Sequence, residues 1–325
     1  MYFVVRAVSF LTMLLTVGLS IFGGYMYFEF NSPGELEADR VLIIPKGSGL
    51  NGIASLLNDN EVIKSKYPFI LGAKILGLSG RLKAGEYKFS KMVQPVSVLK
   101  TLATGRTMIR YITIPEGLTS NEIVRLLKEK TGLSGTINSI PSEGTLLPET
   151  YYYSFGDSRL EILNRMQRQF TSKITELWGK RNPNIPVKTS HEAVILASII
   201  EKETAVREER FLIASVFTNR LYRKMRLQSD PTVLYGVTDK EPNEPITRTD
   251  LRRKTSHNTY VIQGLPKTPI CNPGIASIEA ALHPATTGYF YFVAKGGGRH
   301  SFSKTLKEHN KNVKKWREIQ KNVNK

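Results

Sequence analysis

Residues 197–210 read ASIIEKETAVREER, an apolar, helix-forming run with two carboxylates, Glu201 and Glu203, two positions apart. Each residue of a helix advances about 100° around the axis, so these two side chains point in nearly opposite directions. At most one of them sits on the apolar side. With Ile195 at 0°, Ile199 falls at about 40°, Leu196 at about 100° and Ile200 at about 140°. Glu203 then lies at about 80°, in the middle of the apolar stripe, and Glu201 at about 240°, beside Ser198. The wheel predicts a hidden Glu203 and a solvent-facing Glu201.

A carboxylate among branched aliphatics is costly unless it is protonated, paired or used. Desolvation raises its pKa, and a raised pKa suits a general acid working near neutral pH. The competing reading is structural: Glu203 ends the apolar face and pairs with Arg207 at i+4 or with Arg210. On the residues alone both readings stand.

Outward from this helix, the composition narrows the partners. The 325 residues suffice for two globular domains or one large one. They carry 46 Lys+Arg against 28 Asp+Glu, a net charge of +18, with a pI near 9.8. That balance points to acidic partners such as nucleic acid, anionic lipid or a polyanionic envelope polymer. It is also compatible with a solvated basic surface. No nucleic-acid signature accompanies the charge, whether an RNP-type aromatic pair, zinc-finger spacing or a basic helix running into heptads. The single cysteine, Cys271, excludes an intramolecular disulfide and C-x-x-C motifs. His191, His257, His283, His300 and His309 are scattered, and there is no H-E-x-x-H, P-loop, G-x-S-x-G or G-x-G-x-x-G.

From Ala7 to Phe28 no residue is charged, a run of about 22 residues that matches the ~30 Å hydrocarbon core of a bilayer. Arg6 precedes the run, and Glu29, Glu35, Glu37 and Asp39 follow it. The positive-inside bias therefore predicts a cytoplasmic N-terminus, with everything after Glu29 outside the cytoplasm. A cleaved signal peptide is the competing reading, but its apolar core is shorter and ends in small residues rather than Tyr25, Tyr27 and Phe28.

The expected organisation is a cytoplasmic tail (1–6), a transmembrane helix (7–28), a polar linker (29–40), a small α/β subdomain (41–108) and a larger domain (109–325). The fold class is α+β, with helices and strands segregated. In the small subdomain, VLIIP (41–45) reads as a strand and 48–63 as a helix capped by Ser48. Residues 67–78 give a second helix, KAGEYKFS (83–90) a second strand, and 95–105 a short helix ending at Gly105. In the larger region, RYITIPEG (110–117) opens with a strand, and Ser120 caps the next helix. YFYFVAKG (289–296) forms a late strand.

ASIIEKET (197–204), ASVFTNRL (214–221), MRLQSDPTVLYG (225–236), NTY (258–260), GLP (264–266), NPG (272–274), HPA (283–285) and YFYFVA (289–294) follow one another along the chain. TIPEG (113–117), EGTLLPETY (143–151) and KAGEY (83–87) join them. In this order they resemble the YceG/MltG family of endolytic murein transglycosylases, over essentially the whole chain. One departure is Lys267-Thr268 in GLPKTPI, where the family usually shows Pro-Gly.

The resemblance implies a bacterial inner-membrane enzyme that cuts nascent peptidoglycan glycan strands within the chain, with a LysM-like subdomain ahead of the catalytic domain. It implies no metal and no cofactor. From the family alone, penicillin-binding peptidoglycan synthases are further partners. Lytic transglycosylases carry a catalytic glutamate followed by Ser or Thr; Glu203-Thr204 fits and Glu201-Lys202 does not. The implied chemistry cleaves the β-1,4 bond from N-acetylmuramic acid to N-acetylglucosamine without water. Glu203 is the implied acid and then base, and a 1,6-anhydro end is left. Asn219, Gln228, Ser229, Asp230, Asn258 and Tyr260 can bond sugar hydroxyl and N-acetyl groups, and Tyr235 or Tyr260 can stack on a ring. Glu149 and Tyr151 sit in a loop that can line the cleft. For each of these, turn stabilisation is the alternative. Two further readings stay open: a two-carboxylate muramidase using Asp230 or Glu149, and a glycan-binding scaffold without activity.

Overall fold

The computed structural model describes residues 2–237 and 244–323. The chain forms two compact units, one running up to Arg110 with Tyr152–Asp157, the other comprising Tyr111–Tyr151 and Ser158 onward. The first unit thus takes in 152–157, which lies far along the chain from the rest of it.

The first unit begins with α1 (Tyr2–Asn31), 30 residues long and apolar enough to cross a membrane. Then come β1 (Arg40–Ile44), α2 (Leu50–Asp59), α3 (Lys66–Ile75), β2 (Gly85–Phe89) and α4 (Pro95–Thr104). β1 and β2 pair antiparallel from Arg40↔Phe89 to Ile44↔Gly85. Their core-facing Ile44, Tyr87 and Phe89 meet Ile53 and Leu57 of α2, Phe69 of α3 and Leu99 of α4. The i, i+4 spacing of Ile53 and Leu57 puts both on one helix face. Gly49, not Ser48, is the N-cap of α2, and no side chain bonds there. Ser65 caps α3 by accepting the Tyr67 N–H. Gly105, with φ of 70°, ends α4 in the left-handed conformation that glycine enters freely. Arg110 grips Glu86 with two 2.6 Å bonds and holds that carboxyl below its ordinary pKa.

The chain continues through β3 (Ile109–Thr113), α5 (Ser120–Glu129), β4 (Leu133–Ser134), β5 (Thr150–Ser154), β6 (Asp157–Ser158) and α6 (Arg159–Gly179). The helices α7 (Ser190–Glu203), α8 (Arg210–Tyr222), α9 (Asp230–Gly236), α10 (Arg248–Arg252) and α11 (Ile275–Leu282) follow. β7 (Tyr291–Gly296), β8 (Arg299–Ser303) and α12 (Leu306–Val323) complete the larger unit. Thr119, one residue before the expected Ser120, caps α5 in a reciprocal box with Glu122.

α7 is the axis of the larger unit. Every residue from Ala193 to Ile200 is buried, and α8, α11 and α6 surround it through Phe217, Ile278 and Phe170. A helix that is apolar all round belongs in a core. β7 and β8 pair antiparallel, with a register shift between Ala294 and Gly296, and α12 packs on β7.

Candidate active site

Glu203 is the last residue of α7, where the chain leaves the helix through an extended Thr204. Its half-buried side chain lines a cavity of about 330 Å³. Glu203, Arg220, Gln228, Asp230, Tyr260 and His309 supply the polar part of the wall, and Tyr291, Phe292 and Leu306 the apolar part. Burial, more than any other cause, pushes the Glu203 pKa up to about 7. The negative charge of Asp230 pushes the same way, while a hydrogen bond from Ser229 and the positive charge of Arg220 oppose it.

The segment opposite Glu203 is held by hydroxyls. Ser229 Oγ donates to Glu203 Oε1 at 2.5 Å. The Ser229 N–H donates to Thr259 Oγ1 at 2.9 Å, and Thr232 Oγ1 donates back to the Ser229 carbonyl at 2.6 Å. Gln228, beside it, has φ of 50°, a left-handed conformation uncommon for a residue with a Cβ. Such strained positions persist where neighbours over-determine them; here the Thr259 carbonyl accepts the Gln228 N–H at 3.2 Å. Asp230 accepts a 2.6 Å bond from Tyr260 Oη.

Arg220 is buried at the cavity wall. Its Nε and Nη1 donate to the carbonyls of Phe290 and Leu227, each at 2.7 Å, and its guanidinium lies 5.4 Å from the centre of the Tyr291 ring. Those bonds keep a charge beside Glu203 without an ion pair between them. The His309 ring stacks on Tyr291 at 5.2 Å, so α12 brings the most distant part of the wall.

The wheel's prediction for Glu201 is overturned. Its side chain is only 6% exposed, because Arg210 and the backbone at Gly274 cover it. Glu201 Oε1 accepts from Arg210 Nη2 at 2.9 Å and Oε2 from the Gly274 N–H at 2.9 Å. Arg210 also reaches Glu116 Oε2 at 3.0 Å. A Cβ at position 274 would collide with the Glu116 carboxyl, which explains the glycine of NPG. The partner of Glu203 is therefore a hydroxyl; Arg210 is committed to the other carboxylates, and Arg207 is exposed.

Of the residues singled out from the sequence, Glu203, Gln228, Ser229, Asp230 and Tyr260 come together here. The others lie outside the cavity wall. Asn219 Nδ2 donates to the carbonyls of Thr287 and Tyr289, both at 2.9 Å, fixing the approach to β7. Asn258 is buried and donates to the carbonyls of Asp250, Leu251 and Arg253 at the end of α10. Tyr151 is buried, with its hydroxyl on the Leu147 carbonyl. Glu149 is exposed, and its carbonyl accepts the Ile114 N–H. Tyr235 meets His257 edge-on at 4.9 Å, and Lys267-Thr268 forms a local turn in which Thr268 Oγ1 lies 2.8 Å from His257 Nε2.

Sequence reasoning missed Arg220, Tyr291, Phe292, Leu306 and His309 as cavity residues. Arg220 stands beside Asn219 in ASVFTNRL, and Tyr291-Phe292 lie within YFYFVA, so motif membership could have found these three. Nothing local marks Leu306 or His309. Among the described residues no three His, Cys, Asp or Glu side chains are grouped as metal ligands.

Residues 42–315 match the YceG-like family. A Bacillus subtilis protein named endolytic murein transglycosylase is 36% identical over 84% of this chain and 83% of its own length. A Streptococcus pneumoniae protein of the same name is 25% identical over 94% of this chain, which spans 64% of that longer protein. The crystal structure of a yceG-like protein from Listeria monocytogenes superposes with a TM-score of 0.52 at 32% identity, covering 84% of this chain and 98% of that one. With the family matched over most of its length, this chain belongs to the YceG-like family.

Proposed function

We propose that this chain is a membrane-anchored endolytic murein transglycosylase in which Glu203 is the acid and then the base. The names of its relatives support the reaction class. The observation that carries the residue assignment is a buried carboxyl, pKa about 7, opening onto a cavity. Near neutral pH such a group is protonated often enough to give its proton and ionised often enough to take one back.

In the forward step Glu203 protonates the oxygen of the β-1,4 bond between N-acetylmuramic acid and N-acetylglucosamine, and the C1–O bond breaks. The Glu203 carboxylate then removes the proton from the muramic acid 6-hydroxyl as that oxygen bonds to C1. A 1,6-anhydro ring forms and no water is consumed. One carboxyl suffices because the nucleophile belongs to the same sugar and acts at high effective molarity. Ser229 orients the carboxyl through its 2.5 Å bond. Asp230 raises the Glu203 pKa and supplies negative charge near a developing oxocarbenium centre.

Asp230 also supports a second reading, a two-carboxylate muramidase, because it lines the same cavity. Digestion of peptidoglycan by the full chain, followed by mass spectrometry, separates the two. The proposal expects anhydro ends, lighter by one water than reducing ends, and cleavage by Glu203→Gln slowed by about 10³-fold or more. Reducing ends, or cleavage by that variant at the wild-type rate, would reject it.

α1 serves as an anchor in the bacterial cytoplasmic membrane, with a cytoplasmic N-terminus and both units outside. The length and apolarity of α1 support the anchor, and the flanking charges support the orientation. The strand–helix–helix–strand order of the first unit supports a LysM-like, glycan-binding role, and penicillin-binding synthases are the proposed protein partners.

A further inference from the structure

An apolar cavity of about 340 Å³ lies in the first unit between the end of α1 and helices α3 and α4. Met26, Tyr27 and Phe30 form one wall and Leu71, Ile75 and Leu76 the other. The helices approach closely because position 72 is glycine; a Cβ there would run into the Phe30 ring.

The depth of this cavity follows from α1. Its uncharged run, 7–28, is about 33 Å long at 1.5 Å per residue, close to a hydrocarbon core. Met26 and Tyr27 lie within that run, so in an inserted α1 they stand at the outer edge of the leaflet. Residues of α3 that share a cavity with them stand at the same level. On the outer side they are open: Ile75 is 75% exposed, and Leu76, just past the end of α3, 49%. Tyr67, on the same helix, is also exposed. Contiguous exposed apolar surface of this kind marks an interaction site. Lys66 and Lys74 flank it on α3, and Lys100 of α4 lines the cavity itself. Long cationic side chains beside an apolar face lay their stems along hydrocarbon and keep their charges at head-group level.

We propose that α3 and the end of α1 form one surface embedded in the outer leaflet, and that the cavity between them takes a phospholipid acyl chain, with Lys66, Lys74 and Lys100 facing anionic head groups. The first unit would then lie partly in the membrane interface rather than hang from a free tether. This rests on the reading of α1 as a membrane anchor.

The test uses the full chain in phosphatidylcholine–phosphatidylglycerol nanodiscs with a polarity-sensitive fluorophore at one of three cysteines: Ile75→Cys, Leu14→Cys within α1, or Lys88→Cys on β2. The native Cys271 is buried and stays unlabelled. Nitroxide-bearing lipid should quench the labels at both 14 and 75 and leave the label at 88 unchanged. Quenching at 14 with none at 75 overturns the proposal while the anchor stands. A blue-shifted but unquenched label at 75, the signature of a second copy or a partner protein covering the surface, also overturns it. No quenching at 14 removes the anchor and the proposal together.

Discussion

The end of α7 holds two buried carboxyl groups two residues apart, and they are treated in opposite ways. Glu201 is fastened by a guanidinium and a backbone N–H. Glu203 has one short bond from a hydroxyl and an open cavity in front of it. Burial raises the pKa of both. What separates them is the partner: a fixed cation ties the first into the structure, while the hydroxyl leaves the second able to exchange its proton. A buried acid is thus a sign of chemistry only when its surroundings leave it something to do.

The largest effect expected is on Glu203. Glu203→Gln should lower the cleavage rate by about 10³-fold or more, as for loss of a general acid–base, with the fold retained. Stability should move the other way. The folded state raises this pKa from 4.5 to about 7, so wild-type stability is full below pH ~4.5 and falls as pH rises through about 7. At pH 8 the variant should therefore be more stable, on the order of 3 kcal/mol. Thermal unfolding at pH 5 and pH 8 measures the difference; an equal gain at both would contradict the assignment.

Arg210→Ala should do the reverse and attack structure first. Removing the guanidinium leaves Glu201 buried without its counter-charge, a change that costs on the order of 3 kcal/mol. The melting temperature should drop sharply, and activity should fall only as far as folded protein is lost. A variant that stayed fully folded yet inactive would break the contrast between the two carboxyls.

Two milder substitutions sharpen it. The Ser229 bond lowers the Glu203 pKa, so Ser229→Ala should move the alkaline limb of the pH–rate profile upward, by roughly half to one unit for a bond of ordinary strength. Asp230 raises that pKa, so Asp230→Asn should move the limb downward. Shifts in the same direction would show that some other group sets the limb. The smallest effect on chemistry belongs to Asn258→Ala, which removes three bonds to carbonyls at the end of α10 and the one its Oδ1 accepts from the Tyr260 N–H. About 1–3 kcal/mol of stability should go, with kcat per folded molecule nearly unchanged.

The sequence singled out Glu203 as the candidate because local periodicity and motif agree there: the wheel placed it among isoleucines, and Glu-Thr matched the family pattern. It misplaced Glu201 because a wheel assumes one wet face, and whether α7 has one depends on α8, α11 and the NPG loop packing round it. Ser229, Asp230 and Tyr260 were legible as polar residues in compact motifs, but so were Asn219, Asn258 and Tyr151, which the fold spends on carbonyls. Side-chain chemistry alone does not separate these groups; their distance from Glu203 does. His309 was out of reach, since only the packing of α12 on β7 carries it to the Tyr291 ring.

The central claim is that the 6-hydroxyl of the sugar, not water, closes the reaction that Glu203 starts. Digestion of peptidoglycan by the wild-type chain in water enriched with oxygen-18 asks this directly. The account predicts anhydro-ended products without the heavy isotope. Reducing ends carrying oxygen-18 at C1 would contradict it and make the enzyme a hydrolase.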